Sequence, residues 1–193
     1  MPKVKQFNQE KALENAMKIF WKKGYYDTSM QDLVDELGIS RSSIYDTFGG
    51  KRELFLKSFN LYRKTSISDL QIFLNSQRNV KIGLQKLFQL AINETIEDKD
   101  KKGCFLVNTT TELATKDDEI KNILESNKST LTTIFLDFLE LGEKRGEYKK
   151  GKDLRSIANL LFILYNGIRV VTKFKTNPLT LNSSINIALS LLD

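Results

Sequence analysis

Residues 28–55, TSMQDLVDELGISRSSIYDTFGGKRELF, give the clearest indication of structure in this chain. The apolar residues of this stretch recur three or four positions apart, which is the spacing of short amphipathic helices. Gly38 follows the first of these apolar stripes and a pair of glycines follows the second, and glycine is the residue that most readily ends a helix. The pattern predicts two short helices, at 29–37 and 41–48, joined by LGIS. This is the layout of a helix-turn-helix.

The second predicted helix of this pair has an apolar face and a polar face. Ile44 and Phe48 are four residues apart, so they lie on one side and are expected to anchor the helix in a core. The other side carries side chains that form hydrogen bonds, namely Arg41, Ser42, Ser43 and Tyr45. A helix that enters the major groove of DNA needs such side chains to contact base edges. The stretch is therefore a candidate DNA-reading element.

The rest of the chain is predicted to be helical as well. Two prolines in 193 residues favour long helices, and no segment sustains the period-two alternation of a strand. The apolar spacing and the turn residues predict an all-α fold of about nine helices: 9–23, 29–37, 41–48, 51–75, 80–97, 104–114, 118–145, 153–174 and 181–192. We expect the first three helices to form one domain, residues 1–50, and the others a second domain, residues 51–193.

Three local details are also predicted. Thr28 and Gln31 have the spacing of a capping box at the start of the second helix. The breaker TNP, at 176–178, is expected to precede the last helix. In the fifth helix, the residues expected to face inward are Ile82, Leu87, Leu90, Ala91 and Ile96.

Composition limits the chemistry that this chain can perform. The net charge is +6, and residues 1–64 hold twelve Lys or Arg against eight Asp or Glu, which suits a polyanionic partner. Because the chain has one cysteine, Cys104, and no histidine, an intramolecular disulfide, a Cys/His zinc cluster and histidine-based catalysis are excluded. The sequence also has no phosphate-cradling glycine loop and no nucleophile motif. We expect a protein that is not an enzyme and has no cofactor and no metal.

The hydropathy pattern indicates a cytoplasmic protein. The first residues, MPKVKQFNQEKALENAM, contain no apolar run of signal-peptide length. The most apolar stretch, 157–171, is interrupted by Asn159, Asn166 and Arg169 and is shorter than a bilayer requires. We therefore expect no membrane partner.

Residues 8–58 resemble the DNA-binding domain of the TetR/AcrR family of one-component transcriptional repressors. The shared features are a helix before the motif, an LGIS-like turn, and an aromatic pair, here Tyr45 and Phe48, followed by GGKRELF. The resemblance implies an N-terminal three-helix helix-turn-helix domain that binds DNA. It also implies a C-terminal helical domain for effector binding and dimerisation, although the C-terminal domains of this family vary widely.

The resemblance assigns DNA contacts to individual residues. Thr28 and Ser29, at the start of the second helix, are expected to hold backbone phosphate. Tyr45 and Lys51 resemble the tyrosine and the lysine with which the family binds phosphate. The residues expected to meet base edges and phosphates at the N-terminal end of the third helix are Ser40, Arg41, Ser42 and Ser43.

Three further positions bear on DNA binding. Lys3 and Lys5 are expected to form a basic arm. The family often has a histidine just before the position of Phe48, where this chain has Asp46-Thr47. That departure makes one phosphate contact doubtful, and Asp46 is expected to point away from DNA.

One helix-turn-helix reads only a few base pairs, so a homodimer on a palindromic operator is expected. In the family, the last two helices of each subunit form an intersubunit bundle, which implies dimerisation through helices 8 and 9 here. The resemblance also implies a small-molecule inducer that releases the repressor from its operator. The residues expected to line its pocket are Tyr62, Phe88, Cys104, Asn108, Thr111, Phe135, Phe162, Tyr165 and Asn166.

Two alternatives remain open at this point. The segment KGCFLVNTTTEL resembles one found in a subset of TetR-type proteins, some of which sense electrophiles or oxidants through a cysteine. Cys104 at a helix N-terminus beside Lys101 and Lys102 fits such a reactive thiol, but it equally fits a small buried residue. The other alternative is a DNA-binding activator with no small-molecule effector.

Overall fold

A computed structural model describes residues 7–174 and 176–193, and these contain helices and turns but no strand. This confirms the all-α fold. The helices are α1 (Gln9–Lys23), α2 (Met30–Leu37), α3 (Arg41–Phe48), α4 (Lys51–Asn75), α5 (Val80–Glu97), α6 (Phe105–Leu113), α7 (Asp118–Lys144), α8 (Leu154–Val171) and α9 (Pro178–Leu189), followed by a short 3-10 turn, Ser190–Leu192.

The chain divides into two compact units, Met1–Thr65 and Ser66–Asp193. The division falls inside α4, which therefore runs from the first unit into the second. The functional boundary that the sequence places after residue 50 stays a prediction.

An apolar cluster holds the helices of the first unit together. Phe20 of α1 is fully buried and meets Phe55 of α4 edge to face, with 5.2 Å between ring centroids. Leu33 of α2 and Ile44 of α3 are also fully buried. Each short helix thus buries a large side chain, and α2 contacts both α1 and α3.

The start of α2 differs from the prediction. Ser29, not Thr28, is the N-cap, and it forms the capping box with Asp32 rather than with Gln31. The Ser29 hydroxyl accepts a hydrogen bond from the Asp32 backbone N–H at 3.0 Å, and an Asp32 oxygen accepts from the Ser29 N–H at 2.8 Å. The prediction was one residue early because Thr28 and Ser29 are both good capping residues, and short aspartate can replace glutamate or glutamine in the box.

The second unit is built around the buried faces of α5, α7 and α8. The predicted inward face of α5 is partly wrong, since Ile82, Leu90 and Ile96 are exposed. Periodicity gives the spacing of an apolar stripe, but neighbouring helices decide which of several apolar stripes is covered. The residues that α5 buries are Val80, Gly83, Leu84, Leu87, Phe88, Ala91, Ile92 and Thr95.

The last helix begins earlier than the sequence predicts. Pro178 stands in its first turn, and the side chain of Asn177 caps it by accepting from the Leu179 N–H at 2.9 Å. Proline is well tolerated at the first helical position, where its missing N–H would have no partner within the helix. The breaker therefore starts α9 instead of preceding it.

Helix α8 is apolar enough to resemble a membrane span. Among the described residues it is the one long helix that passes this test, with 18 residues and a mean hydropathy of 1.3. It packs against α5, α6 and α7, and Arg155 and Arg169 lie within it. By length and composition alone, one such helix is weak evidence for a membrane span.

Candidate nucleic-acid interface

The N-terminal end of α3 presents a cluster of polar side chains. Ser40 caps the helix, because its hydroxyl accepts from the Ser43 backbone N–H at 3.1 Å. The Ser40 hydroxyl also lies 2.9 Å from the hydroxyls of both Ser42 and Ser43. Arg41 and Ser42 are exposed, whereas Ser43 is half-buried. A helix N-terminus with exposed donors suits base edges and phosphates.

The opposite face of α3 fixes this orientation. Ile44 is fully buried and Phe48 is 5% exposed. Tyr45, between them in sequence, is 53% exposed and therefore points outward from the unit. At Gly50, where φ is +111°, an added Cβ would come within 3.0 Å of the Tyr45 ring. The glycine therefore leaves room for the ring as well as adopting a backbone conformation that other residues rarely adopt.

Lys51 begins α4 next to this surface. Its Nζ lies 4.5 Å from the centre of the Tyr25 ring, which is a cation–π distance. The side chain is half-buried. The tyrosine ring thus limits where the ammonium group lies.

Hydrogen bonds hold the carboxylate of Asp32 in place at the start of α2. The Lys23 ammonium donates to an Asp32 oxygen at 2.6 Å, and Ser29 donates to the other oxygen from its N–H and its hydroxyl, each at 2.8 Å. The bond from Lys23 is the largest cause, and those from Ser29 add to it, in lowering the pKa of Asp32 from 3.8 to about 2. The carboxylate is therefore held ionised at the N-terminus of α2, where a negative charge is favourable.

This arrangement predicts a pH-dependent contribution of Asp32 to stability. Its folded-state pKa lies below the ordinary value, so the ionised group stabilises the fold above pH 3.8 and that contribution is lost as the pH falls toward about 2. In an NMR titration of the carboxyl carbons, Lys23→Gln should move the Asp32 midpoint upward toward 3.8. Lys18→Gln, on the same helix, should leave it near 2, and equal shifts in both variants would contradict the assignment.

Thr28 does not belong to the exposed set. It is fully buried, and its hydroxyl donates to the Gly24 carbonyl at 2.6 Å. Ser29 is exposed, but its N–H and its hydroxyl both donate to Asp32. The phosphate contacts of Thr28 and Ser29 stay predictions. Asp46 is also exposed, and Lys3 and Lys5 lie outside the described residues.

Two family models match the chain. Residues 12–57 match "Bacterial regulatory proteins, tetR family", and residues 83–187, more than half of the chain, match "Tetracyclin repressor-like, C-terminal domain". The chain belongs to the TetR family. It is thus a transcriptional regulator from a family of DNA-binding helix-turn-helix proteins, as the resemblance predicted.

Relatives and solved structures agree with this membership in the TetR family. The chain is 28% identical to the HTH-type transcriptional regulator YezE of Bacillus subtilis strain 168 over the full length of both. It is 30% identical to the HTH-type transcriptional repressor ComR of Escherichia coli K12, over 88% of this chain and 80% of ComR. A structure of the TetR-family regulator CifR, a cysteine mutant bound to a 26-bp double-strand operator, has a TM-score of 0.86 at 20% identity, covering 99% of this chain and 100% of CifR.

In the second unit of this TetR-family chain, three of the predicted pocket aromatics meet. Tyr165 lies edge to face against Phe88, with 6.2 Å between centroids, and against Phe135, with 5.8 Å. The Arg169 guanidinium lies 3.6 Å from the centre of the Tyr165 ring. Phe88 and Phe135 are fully buried, and burial of the phenol is the main cause that raises the pKa of Tyr165. Phe162 is half-buried and packs against the same core.

The predicted polar pocket residues mostly bond to backbone. Asn166 donates to the Phe162 carbonyl of its own helix at 2.8 Å, and the Thr111 hydroxyl donates to the Asn108 carbonyl at 2.9 Å. Asn108 accepts from the Lys173 ammonium and donates to the Lys102 carbonyl. Thr111 is exposed, unlike the aromatic group. Their roles in ligand binding stay predictions.

The remaining two predicted pocket residues are Tyr62 and Cys104. Tyr62 belongs to the first unit, where its ring meets Trp21 edge to face at 5.0 Å. Cys104 is the N-cap residue of α6, is 9% exposed and makes no side-chain capping bond. Burial of Cys104 fits the interpretation as a small packed residue, and thiol sensing stays a prediction.

The predicted set missed two buried polar residues in the second unit. Asn127 of α7 and Thr109 of α6 are each 1% exposed. Asn127 interrupts an apolar stripe that includes Leu124 and Leu131. A polar residue inside a helical apolar stripe was the sequence signal that could have found it.

Proposed function

We propose that this protein is a transcriptional repressor that binds a palindromic operator as a homodimer and is released by a small-molecule inducer. The observation that carries the DNA-binding part is the outward polar end of α3, with Ser40, Arg41 and Ser42 exposed above the buried anchors Ile44 and Phe48. A short helix fixed on one side and polar on the other fits a major groove.

Each exposed group has a proposed role on DNA. The Arg41 guanidinium reads base edges through paired donors, as arginine does at guanine O6 and N7. The hydroxyl of Tyr45 and the ammonium of Lys51 hold backbone phosphates on either side of that groove. Ser29 joins them when its hydroxyl exchanges its bond to Asp32 for one to a phosphate. Ser40, Ser42 and Ser43 supply hydroxyl contacts near the helix N-terminus. Phosphate contacts position the helix, and the base contact gives it sequence preference.

Known members of the family support this proposal. ComR is named as a repressor, and CifR is bound to operator DNA in its solved structure. The family consists of DNA-binding regulators rather than enzymes, and we place this protein in the cytoplasm, where duplex DNA is accessible. The likeness to ComR supports repression by this chain, and an activator remains the alternative.

Exposed apolar stripes support the homodimer. On α8, Ile163 and Val170 are 63% and 44% exposed, and Phe174 just beyond the helix is 62% exposed. On α9, Leu179 and Ile187 are 75% and 73% exposed. Ile163 and Val170 are seven residues apart, which is about two helical turns, so they lie on one side of α8. A second copy of the chain that covers both stripes removes this apolar surface from water.

Effector release is proposed to act through α4. This helix runs from the DNA-binding unit into the second unit, so it connects the two mechanically. An inducer that binds one conformation of the second unit more tightly shifts the population toward that conformation. If α4 moves with it, the two α3 helices of a dimer no longer match successive grooves.

Selection of duplexes from a randomised DNA pool tests this function. The expected result is a consensus of two inverted half-sites, because a two-fold symmetric dimer places two equivalent reading helices on the DNA. The full chain carrying Arg41→Ala should enrich a less defined consensus at the same salt concentration. A wild-type chain that enriches no consensus, or only a single unrepeated half-site, would contradict the proposed function.

A further inference from the structure

The buried face of α7 carries one uncharged polar side chain whose position is unusual. Asn127 lies between Leu124 and Leu131 on this face and is 1% exposed. Neither its Oδ1 nor its Nδ2 has a hydrogen-bond partner among the described residues. An amide buried among apolar groups without a partner is unfavourable, so this side chain is suited to meet a partner from outside the fold.

Thr109 on α6 shows the same feature. It is 1% exposed and its hydroxyl also has no partner among the described residues. The neighbouring Thr110 bonds to the carbonyl of Leu106 one helical turn earlier, at 2.8 Å. Thr95, on α5, does the same with Ala91 at 2.9 Å. The hydroxyl of Thr109 makes no such bond, and the same is true of Thr132 on α7.

These two residues belong to helices that pack together. Helix α6 contacts α7, and residues 114–117 connect them. The buried faces of both helices are otherwise mainly apolar, since α6 buries Phe105 and Leu113 and α7 buries Leu124 and Leu131. None of the described buried polar residues is charged. A charged molecule placed here would lose its hydration without gaining a buried counter-ion.

The donors and acceptors define the chemistry of a fitting molecule. The carboxamide of Asn127 offers an acceptor and a donor side by side, and the hydroxyl of Thr109 offers either. The complement of a carboxamide is a carbonyl next to an N–H, which a lactam or a cis-amide provides. The apolar walls require that the rest of the molecule be hydrocarbon.

We propose that Asn127, assisted by Thr109, is the polar anchor of the effector site, and that the effector is a neutral, mainly apolar molecule with a lactam-like amide. This role rests on the proposed function, because it gives the inducer a place and a chemical class. Both side chains are closed off from solvent in this conformation, so binding requires the helices that cover them to move apart locally. Such a site forms when a ligand selects a minor conformation.

Binding of ε-caprolactam to the full-length protein, compared with cycloheptanone, tests the ligand class. The two rings have the same size, but the ketone lacks the N–H. By calorimetry, the lactam should bind the wild type, and Asn127→Leu should weaken it by about tenfold or more, because the leucine offers no hydrogen bond. Asn122→Leu, at an exposed position on the same helix, should bind the lactam as the wild type does. The affinity for the ketone should differ less between the wild type and Asn127→Leu than the affinity for the lactam does.

A second measurement uses only the wild-type protein, so it does not depend on whether a variant folds. In nitrogen-15-labelled wild-type protein, the side-chain amide resonance of Asn127 should shift as caprolactam is added. No binding of the lactam to the wild type, equal binding to Asn127→Leu, or an unmoved Asn127 resonance would each overturn this site.

Operator release is measured separately, by fluorescence anisotropy on a selected operator. Lactam binding at Asn127 that leaves the operator complex intact would contradict the inducible mechanism but support the site. A different compound that releases the operator equally from the wild type and from Asn127→Leu would support the inducible mechanism but contradict the site.

Discussion

Glutamate in place of both Ile163 and Ile187 is expected to leave a folded monomer that no longer binds a palindromic operator specifically. These side chains are 63% and 73% exposed in the single chain, so the charge costs the isolated fold little. In a dimer, each isoleucine that becomes buried contributes about 1.5–3 kcal/mol, and a buried unpaired carboxylate opposes association further. The mass should fall from that of two chains to that of one in light scattering after size exclusion.

Ile72→Glu provides the matched control for this pair. Ile72 on α4 is 66% exposed, yet it lies outside α8 and α9. This variant should remain a dimer, and circular dichroism should show that all the variants keep their helices. A double variant that stays dimeric at micromolar concentration would place the dimer interface elsewhere.

Alanine at Tyr45, Lys51 or Arg41 is expected to weaken operator binding in two distinguishable ways. Tyr45→Ala and Lys51→Ala each remove a side chain that we propose to hold phosphate, so affinity should fall to a similar extent on every sequence. A dimer places Lys51 on the DNA twice, so Lys51→Ala should reduce the slope of log affinity against log salt by about 2. Arg41→Ala should cost about 1–3 kcal/mol per half-site and also relax sequence preference, because it removes the side chain that we propose to read a base.

Matched variants separate these effects on DNA binding from effects on folding. Tyr45→Phe keeps the ring that packs near Gly50 but removes the hydroxyl, so it should reproduce most of the weakening seen with alanine. Lys64→Ala removes a charge from the same helix as Lys51, about 20 Å further along, and should retain nearly full affinity. If the Tyr45 and Lys51 variants bind the operator as tightly as the wild type, and Lys51→Ala keeps the wild-type salt dependence, neither residue contacts DNA.

Much of the fold was predictable because local sequence signals agree with the packing. Asn8 caps α1 and Gly24 follows it, and both bounds of that helix are confirmed. The glycines at 38 and 49 adopt left-handed conformations after α2 and α3, as predicted for the helix-turn-helix. These signals lie within a few residues of the feature that they determine, so the sequence alone is sufficient.

The wrong predictions concern choices that depend on more distant neighbours. Helix α5 has apolar residues on several sides, and only its packing against α7, α8 and α9 leaves Ile82 and Leu90 outside. Thr28 looks like a capping residue, but its burial turns the hydroxyl to the Gly24 carbonyl. The partnerless state of Asn127 could not be predicted from the sequence either, because it depends on which groups surround α7.

Dimethyl sulfate interference on a selected operator tests most directly whether two copies of α3 occupy successive major grooves. The reagent methylates guanine N7, which lies in the major groove. Two symmetric clusters of interfering guanines are expected on one face of the duplex, about 10 base pairs apart from centre to centre or a multiple of that. Specific binding with no interference in the major groove, or with a single unrepeated cluster, would contradict the proposed placement of α3.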